Sequence, residues 1–158
     1  MNQPMIKKLE LLIPPLPLTI ILCGMIFLCQ SLTPQYALTI PSAVEWGWAF
    51  WILGTAFVLP AAISFFKAKT TVDPRTPENS NKLVTTGLYK FSRNPMYVGF
   101  LFFIVGTASY SGHISGLLIA IAFIPYMNRF QITLEEQQLT RLFGDEYIEY
   151  CHAVRRWL

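Results

Sequence analysis

Leu83-Val84-Thr85-Thr86-Gly87-Leu88-Tyr89-Lys90-Phe91-Ser92-Arg93-Asn94-Pro95-Met96-Tyr97-Val98-Gly99 stands between two strongly apolar halves of the chain. The stretch is polar, aromatic and basic at once, and it reads as two helix starts in quick succession. Thr85 or Thr86, beside Gly87, has the form of a cap for a short first helix. Asn94 followed by Pro95 has the form of an N-cap with proline at the first helical position. From Met96 onward the chain turns apolar, so a helix is expected to begin at a membrane edge with its free N–H groups facing Arg93 and Tyr89. Such an end attracts a carboxylate or phosphate. The same residues also read as a basic membrane-interface loop, and the pattern alone leaves both readings open.

Composition narrows the class. The 158 residues suffice for one domain. Hydrophobic residues make up 53% and charged residues only 13%, which is a membrane composition. The net charge of +3 is small and its basic residues are dispersed, which gives no support for nucleic-acid binding. Cys23, Cys29 and Cys151 make neither an even disulfide framework nor a CxxC pair. His113 and His152 are the only histidines, and no metal-ligand spacing accompanies them.

Four apolar runs follow in order. Residues 1–10 carry Lys7 and Lys8, and Pro14, Pro15 and Pro17 break any helix there. Residues 18–32 are nearly all apolar, close to the ~20 residues of a bilayer crossing. A signal peptide is the competing reading, weakened by the prolines and by the lack of a convincing small-residue cleavage site. Residues 44–66 form a second run, with Trp46, Trp48 and Trp51 at its start like an interfacial aromatic belt and Pro60 as an expected kink. The polar connection 67–94 comes next, with Asp73-Pro74-Arg75-Thr76-Pro77 reading as turn. Runs 96–110 and 114–127 are separated by the tight turn Ser111-Gly112-His113, so they should form a helical hairpin. All twelve basic residues fall in the N-terminal arm, in the 67–95 connection or after Met127. The positive-inside rule therefore predicts four crossings with both termini cytoplasmic, and the membrane expected is the cell (inner) membrane.

The C-terminal third mixes charge with helical periodicity. Ile132, Leu139, Leu142 and Phe143 form one stripe. Thr133 with Glu136 fits a capping box, which predicts a fresh helix start or a kink. Gly144 ends that helix and Asp145 is placed to cap the next. Tyr147, Tyr150, Val154 and Trp157 form a second stripe, with Arg155 and Arg156 on its wet side. The fold class expected is an all-α membrane protein, about four transmembrane helices plus amphipathic C-terminal helices. Glu135 and Glu136 each lie one turn from the apolar stripe, so at least one carboxylate should border it. A carboxylate at that depth is a functional candidate, and an exposed acidic pair at a helix start is the alternative.

No GxGxxG, P-loop or GxSxG occurs, which leaves a Rossmann-type nucleotide site unsupported. The parts on hand are the Asn94-Pro95 helix start, a tyrosine-rich patch and one or two glutamates. Together they suit a zwitterionic ligand with a cationic centre. The helix start would take its carboxylate, Glu135 or Glu136 its hydroxyls or amine, and Tyr89, Phe91 or Tyr97 its sulfonium or ammonium.

Four motifs stand in the order of a known family: Leu-Val-Thr-Thr-Gly-Leu-Tyr at 83–89, Arg-Asn-Pro-Met-Tyr-Val-Gly at 93–99, Glu-Glu at 135–136 and Phe-Gly-Asp-Glu-Tyr-Ile-Glu-Tyr at 143–150. The chain resembles the isoprenylcysteine carboxyl methyltransferase and phospholipid methyltransferase superfamily of integral membrane enzymes. The resemblance implies one methyltransferase domain over 1–158, with a cofactor-binding core over about 67–158. It implies S-adenosylmethionine as cofactor and a lipophilic substrate entering from the bilayer. Asn81, Lys82, Leu83, Val84, Tyr89, Asn94, Pro95, Met96, Tyr97 and Glu135 match the cofactor-binding positions. Glu136 is the candidate base for a protonated acceptor, and Arg129 the nearest basic residue to a substrate-side arginine that counts to Gln131 here. The family's carboxyl methyltransferases usually carry histidine where this chain has Asn94. Distantly similar membrane sterol reductases, which use NADPH, and a non-catalytic membrane scaffold are the rival expectations.

Overall fold

The computed structural model describes residues 14–68 and 82–158. It contains α1 (Pro15–Leu32), α2 (Ala43–Ala68), α3 (Pro95–Ser111), α4 (Ile114–Met127), α5 (Thr133–Phe143) and α6 (Asp145–Ala153). A 3-10 turn at Pro34–Tyr36 follows α1, another at Gly87–Lys90 precedes α3, and a π turn at Asn128–Ile132 joins α4 to α5. The apolar runs and turns of the sequence thus become an all-α fold among the described residues. The N-terminal arm with Lys7 and Lys8, the Asp73–Pro77 turn and Asn81 lie outside the described residues.

Three helices are long and apolar enough to cross a bilayer: Pro15–Leu32, Ala43–Ala68, and the continuous rod Ile114–Phe143. At 1.5 Å per residue, α2 is about 39 Å long, more than the ~30 Å hydrocarbon core. α3 is shorter, yet it is the helix around which the bundle packs, touching α1, α2 and α4. Its buried side includes Tyr97, Val98, Phe100, Ile104 and Thr107. Ile26 from α1, Ile104 from α3, Phe123 and Met127 from α4, and Ile132 close the core around it. The outer faces remain apolar: Ile20, Leu28, Ile52, Leu59, Leu117, Leu118 and Ile121 are exposed. A water-soluble domain would bury such rows, whereas lipid is their natural solvent, and the protein is membrane-embedded.

The α2–α3 contact depends on glycine. Gly47 and Gly54 of α2 oppose Gly106 and Gly99 of α3, seven residues apart on each helix. A Cβ on Gly99 would stand 2.5 Å from Val58 Cγ2 and 2.8 Å from the Gly54 carbonyl oxygen. One on Gly106 would stand 2.6 Å from Trp51 Cδ1. Small residues let the two backbones approach, which is how membrane helices gain dispersion contacts without a hydrophobic drive between them. Trp51 belongs to this seam. Its indole N–H donates to Thr107 Oγ1 at 3.3 Å and its ring stacks on Tyr110, so it packs between helices while Trp46 and Trp48 stay exposed. Pro60 lies inside α2, which runs on to Ala68 as one helix.

The expected α3–α4 hairpin forms. Gly112 closes α3 in the left-handed region at φ 57, and α4 starts two residues later. His113 is buried and accepts from the Ser115 N–H at the start of α4 through Nδ1. Its other nitrogen lies 3.0 Å from the Thr33 carbonyl, consistent with an Nε2–H donor. Gln30 Nε2 donates to the Ser111 carbonyl, and Leu38 N–H donates to the Gly112 carbonyl. The end of α1 is thereby tied to the hairpin turn.

Several local expectations gave way to longer-range contacts. Thr133 does not start a new helix: its predecessors Met127 to Ile132 are all helical, and its hydroxyl donates to the Asn128 carbonyl at 2.6 Å. No capping box with Glu136 forms. Gly144, at φ 53, occupies the N-cap position expected for Asp145, which becomes the first residue of α6. Thr86 precedes the Gly87–Lys90 turn without a side-chain cap. Leu142 is 43% exposed and leaves the expected apolar stripe, while Ile132 is wholly buried. Arg155 is exposed as expected, but Arg156 turns inward.

Candidate functional site

The polar residues converge at the end of the bundle where α2 finishes and α3 begins. Val84 and Tyr89 are buried against Ala61 and Phe65 of α2, with the Tyr89 and Phe65 rings edge to face at 5.4 Å. A cavity of about 390 Å³ opens beside them, bounded by Ser64, Lys67, Lys82, Leu83, Val84 and Thr85. Met96 packs against this cluster and also against the main core, so it joins the cavity wall to the centre of the bundle.

The next residue of α3, Tyr97, is buried and donates its hydroxyl to Glu135 Oε1 at 2.6 Å. Gln131 Nε2 donates to the same oxygen, also at 2.6 Å. Gln131 and Glu135 are four residues apart, and the π turn rotates Gln131 and Ile132 into the core ahead of α5. Such widened turns accumulate at functional sites because they re-aim side chains at little cost elsewhere. Glu135 Oε2 makes no hydrogen bond among the described residues. Burial, then the neighbouring Tyr150 and Glu135, raise the Tyr89 hydroxyl well above the ordinary tyrosine value, so it stays protonated and able to donate. The result is a half-enclosed carboxylate with aromatic neighbours and one oxygen to spare.

Glu136, the adjacent carboxylate, is engaged differently. Arg93 Nη2 meets its Oε1 at 2.9 Å, and Arg156 grips both oxygens, with Nε at 3.0 Å from Oε1. Arg93 also donates Nη1 to the Cys151 carbonyl at 3.1 Å and its backbone N–H to the Arg155 carbonyl at 2.9 Å. Asn94 stands at the N-cap position of α3 with Pro95 at the first helical position, as its sequence predicts. Its side chain makes no cap hydrogen bond; Nδ2 donates instead to the Arg156 carbonyl at 2.9 Å. Arg129 is exposed, with its guanidinium 5.7 Å from the centroid of the Phe130 ring.

Apart from Arg129, which stands outside them, the described sequence candidates fall into three neighbouring groups. Lys82, Leu83 and Val84 line the cavity, with Tyr89 buried behind them. Pro95, Met96, Tyr97 and Glu135 lie on the adjoining α3–α5 face, and Asn94 and Glu136 belong to an ion-paired corner with the C-terminus. Gln131 as the second donor to Glu135 follows from four-residue spacing on one helix. Arg93, Tyr150 and Arg156 carry no local signal, because their partners lie tens of residues away.

The fold and this corner define a helical membrane protein with a polar site at one end of the bundle. The family profile described as phospholipid methyltransferase matches residues 42–146, and the chain belongs to that family. It is 36% identical over 106 residues to protein-S-isoprenylcysteine O-methyltransferase B of Arabidopsis thaliana, an overlap of 65% of this chain and 52% of that protein. It is 39% identical over 73 residues to the protein-S-isoprenylcysteine O-methyltransferase of Schizosaccharomyces pombe, covering 46% of this chain and 30% of that one. An uncharacterized protein of Haemophilus influenzae is 41% identical over its whole length, 63 residues or 40% of this chain. The chain thus spans about half or less of the length of the named methyltransferases it matches. No solved structure matches it.

Proposed function

We propose that this protein binds S-adenosylmethionine at the corner between α2, α3 and α5 and methylates a lipophilic acceptor that arrives from the bilayer, in the manner of the isoprenylcysteine carboxyl methyltransferases. The observation that carries the reading is the Tyr97–Glu135–Gln131 group, set beside the 82–84 cavity wall and at the start of α3. This donor set fits the cofactor. Glu135 Oε2 is available to a ribose hydroxyl or amine, Tyr89 and Tyr97 offer aromatic faces near a cation, and the first turn of α3 favours a carboxylate. Lys82, Leu83, Val84, Tyr89, Asn94, Pro95, Met96, Tyr97 and Glu135 would hold it.

When bound, S-adenosylmethionine supplies an electrophilic methyl group. The chain's contribution is to fix the approach of the acceptor and to keep water away, so that a bimolecular step proceeds within one assembled complex. The apolar outer faces admit the acceptor's tail laterally. Arg129, exposed in the π turn after α4, is the basic residue nearest to where an acidic acceptor would be recognised. A carboxylate or thiolate acceptor needs no base. An ammonium acceptor must lose a proton first, and the family's phospholipid methyltransferases make that second acceptor class a specific alternative.

The orientation proposed is four crossings with both termini cytoplasmic, in the cell (inner) membrane, which puts the polar cofactor's entrance on the cytoplasmic side. Vesicles containing the protein, supplied with methyl-labelled S-adenosylmethionine, test the function. Label should pass to a prenylcysteine or to a phospholipid amine. Transfer to neither, with the protein folded, overturns the proposal.

A further inference from the structure

The five residues after α6 form no helix, yet they are held at many points. The Arg155 carbonyl accepts the Arg93 N–H, and the Arg156 carbonyl accepts the Asn94 side chain. Trp157 Nε1 donates to Asn128 Oδ1 at 3.0 Å, at the first residue of the π turn. Just before the strap, Tyr150 donates its hydroxyl to the Tyr89 carbonyl at 2.7 Å. At the centre, Glu136 is shared between Arg93 and Arg156, with side-chain exposures of 17%, 12% and 36%. Every one of these contacts ends on a segment that presents a candidate cofactor residue: the turn with Tyr89, the start of α3 with Asn94 and Tyr97, or the α4–α5 rod with Gln131 and Glu135.

We propose that the C-terminal strap, through Arg156 and Glu136, is a positioning device that fixes the α3 start and α5 relative to each other, so that Tyr97, Gln131 and Glu135 meet the cofactor in one geometry. Arg156 and Glu136 are positioning residues here, and Glu136 is not the base. A carboxylate whose two oxygens are both occupied by guanidinium groups is a poor proton acceptor, because protonation must give up both charge-assisted contacts. The bidentate fork of Arg156 fixes direction as well as distance, which a single flexible ammonium does not. Alignment errors of this kind act on binding and orientation.

The inference rests on the methyltransferase reading, and its test separates the two. S-Adenosylmethionine affinity by calorimetry, kcat and KM for the methyl donor, and Tm are measured for wild type, Arg156→Gln, Arg156→Lys, Glu136→Gln and the Arg156→Gln/Glu136→Gln pair. Each neutralising change should raise Kd and KM roughly tenfold with kcat within about twofold. The double variant should be no worse than either single one, since both remove the same contact. Lysine should restore part of the affinity. A fall in kcat at unchanged Kd places the pair in the chemistry and overturns the proposal. A lower Tm with Kd and KM unchanged leaves the strap merely structural and overturns it as well. Wild-type protein that binds no S-adenosylmethionine overturns the functional reading, and the strap's role with it.

Discussion

Replacing Glu135 by glutamine changes one charge and almost no volume. Oε1 of the wild-type carboxylate takes two hydrogen bonds of 2.6 Å, from Tyr97 and Gln131. The amide oxygen of glutamine can accept both, so neither donor is orphaned. The other oxygen becomes an NH2 group, which presents hydrogens to any ligand hydroxyl or amine where an acceptor stood. Loss of one charge-assisted hydrogen bond costs about 1.5–3 kcal/mol, or roughly ten- to a hundredfold in Kd. Folding stability should change by about 1 kcal/mol or less, because both internal hydrogen bonds survive and a partly buried charge is gone. Titration of the detergent-solubilised variant with S-adenosylmethionine, alongside a melting curve, reads both quantities. Wild-type affinity in a folded Glu135→Gln protein would remove this carboxylate from the cofactor site and refute the reasoning.

Gly99→Leu should destabilise the bundle by about 1–3 kcal/mol or prevent folding, since its Cβ already meets Val58 and the Gly54 carbonyl; the melting temperature checks this. Gly112→Ala should cost about 1–2 kcal/mol through its left-handed backbone, while Gly24→Ala, whose Cβ meets nothing within 4 Å, should be tolerated. His113→Ala should lower stability by about 1 kcal/mol through loss of the α4 cap and speed amide exchange at Leu38, leaving cofactor affinity unchanged. Single cysteines at Gln35 and Glu146, in a background without the native three, should label from outside and only after permeabilisation, respectively; the reverse pattern contradicts the proposed orientation.

The apolar runs were legible because membrane helices announce themselves by length and composition, and the Ser111-Gly112-His113 turn because glycine supplies its positive φ. Asn94-Pro95 marked the α3 start correctly, since proline at the first helical position is a local effect. What Asn94 does with its side chain was not legible: the acceptor is the Arg156 carbonyl, 62 residues on. The capping box at Thr133 and Glu136 failed for the same kind of reason. Its local pattern is sound, but the rod from Ile114 continues through a π turn, and Glu136 finds two arginines instead of a backbone N–H. The expected wet position of Arg156 reversed because that carboxylate draws it inward. The glycines at 47 and 54 and at 99 and 106 repeat at seven residues, but the repeat names no partner, because which helices they join is decided only by packing.

The central claim is that this corner is an S-adenosylmethionine site. Calorimetric titration of the wild-type protein in detergent with S-adenosylmethionine, and separately with NADPH, tests it most directly. The account predicts saturable binding of S-adenosylmethionine and none of NADPH; binding of NADPH alone, or of neither by folded protein, would contradict it.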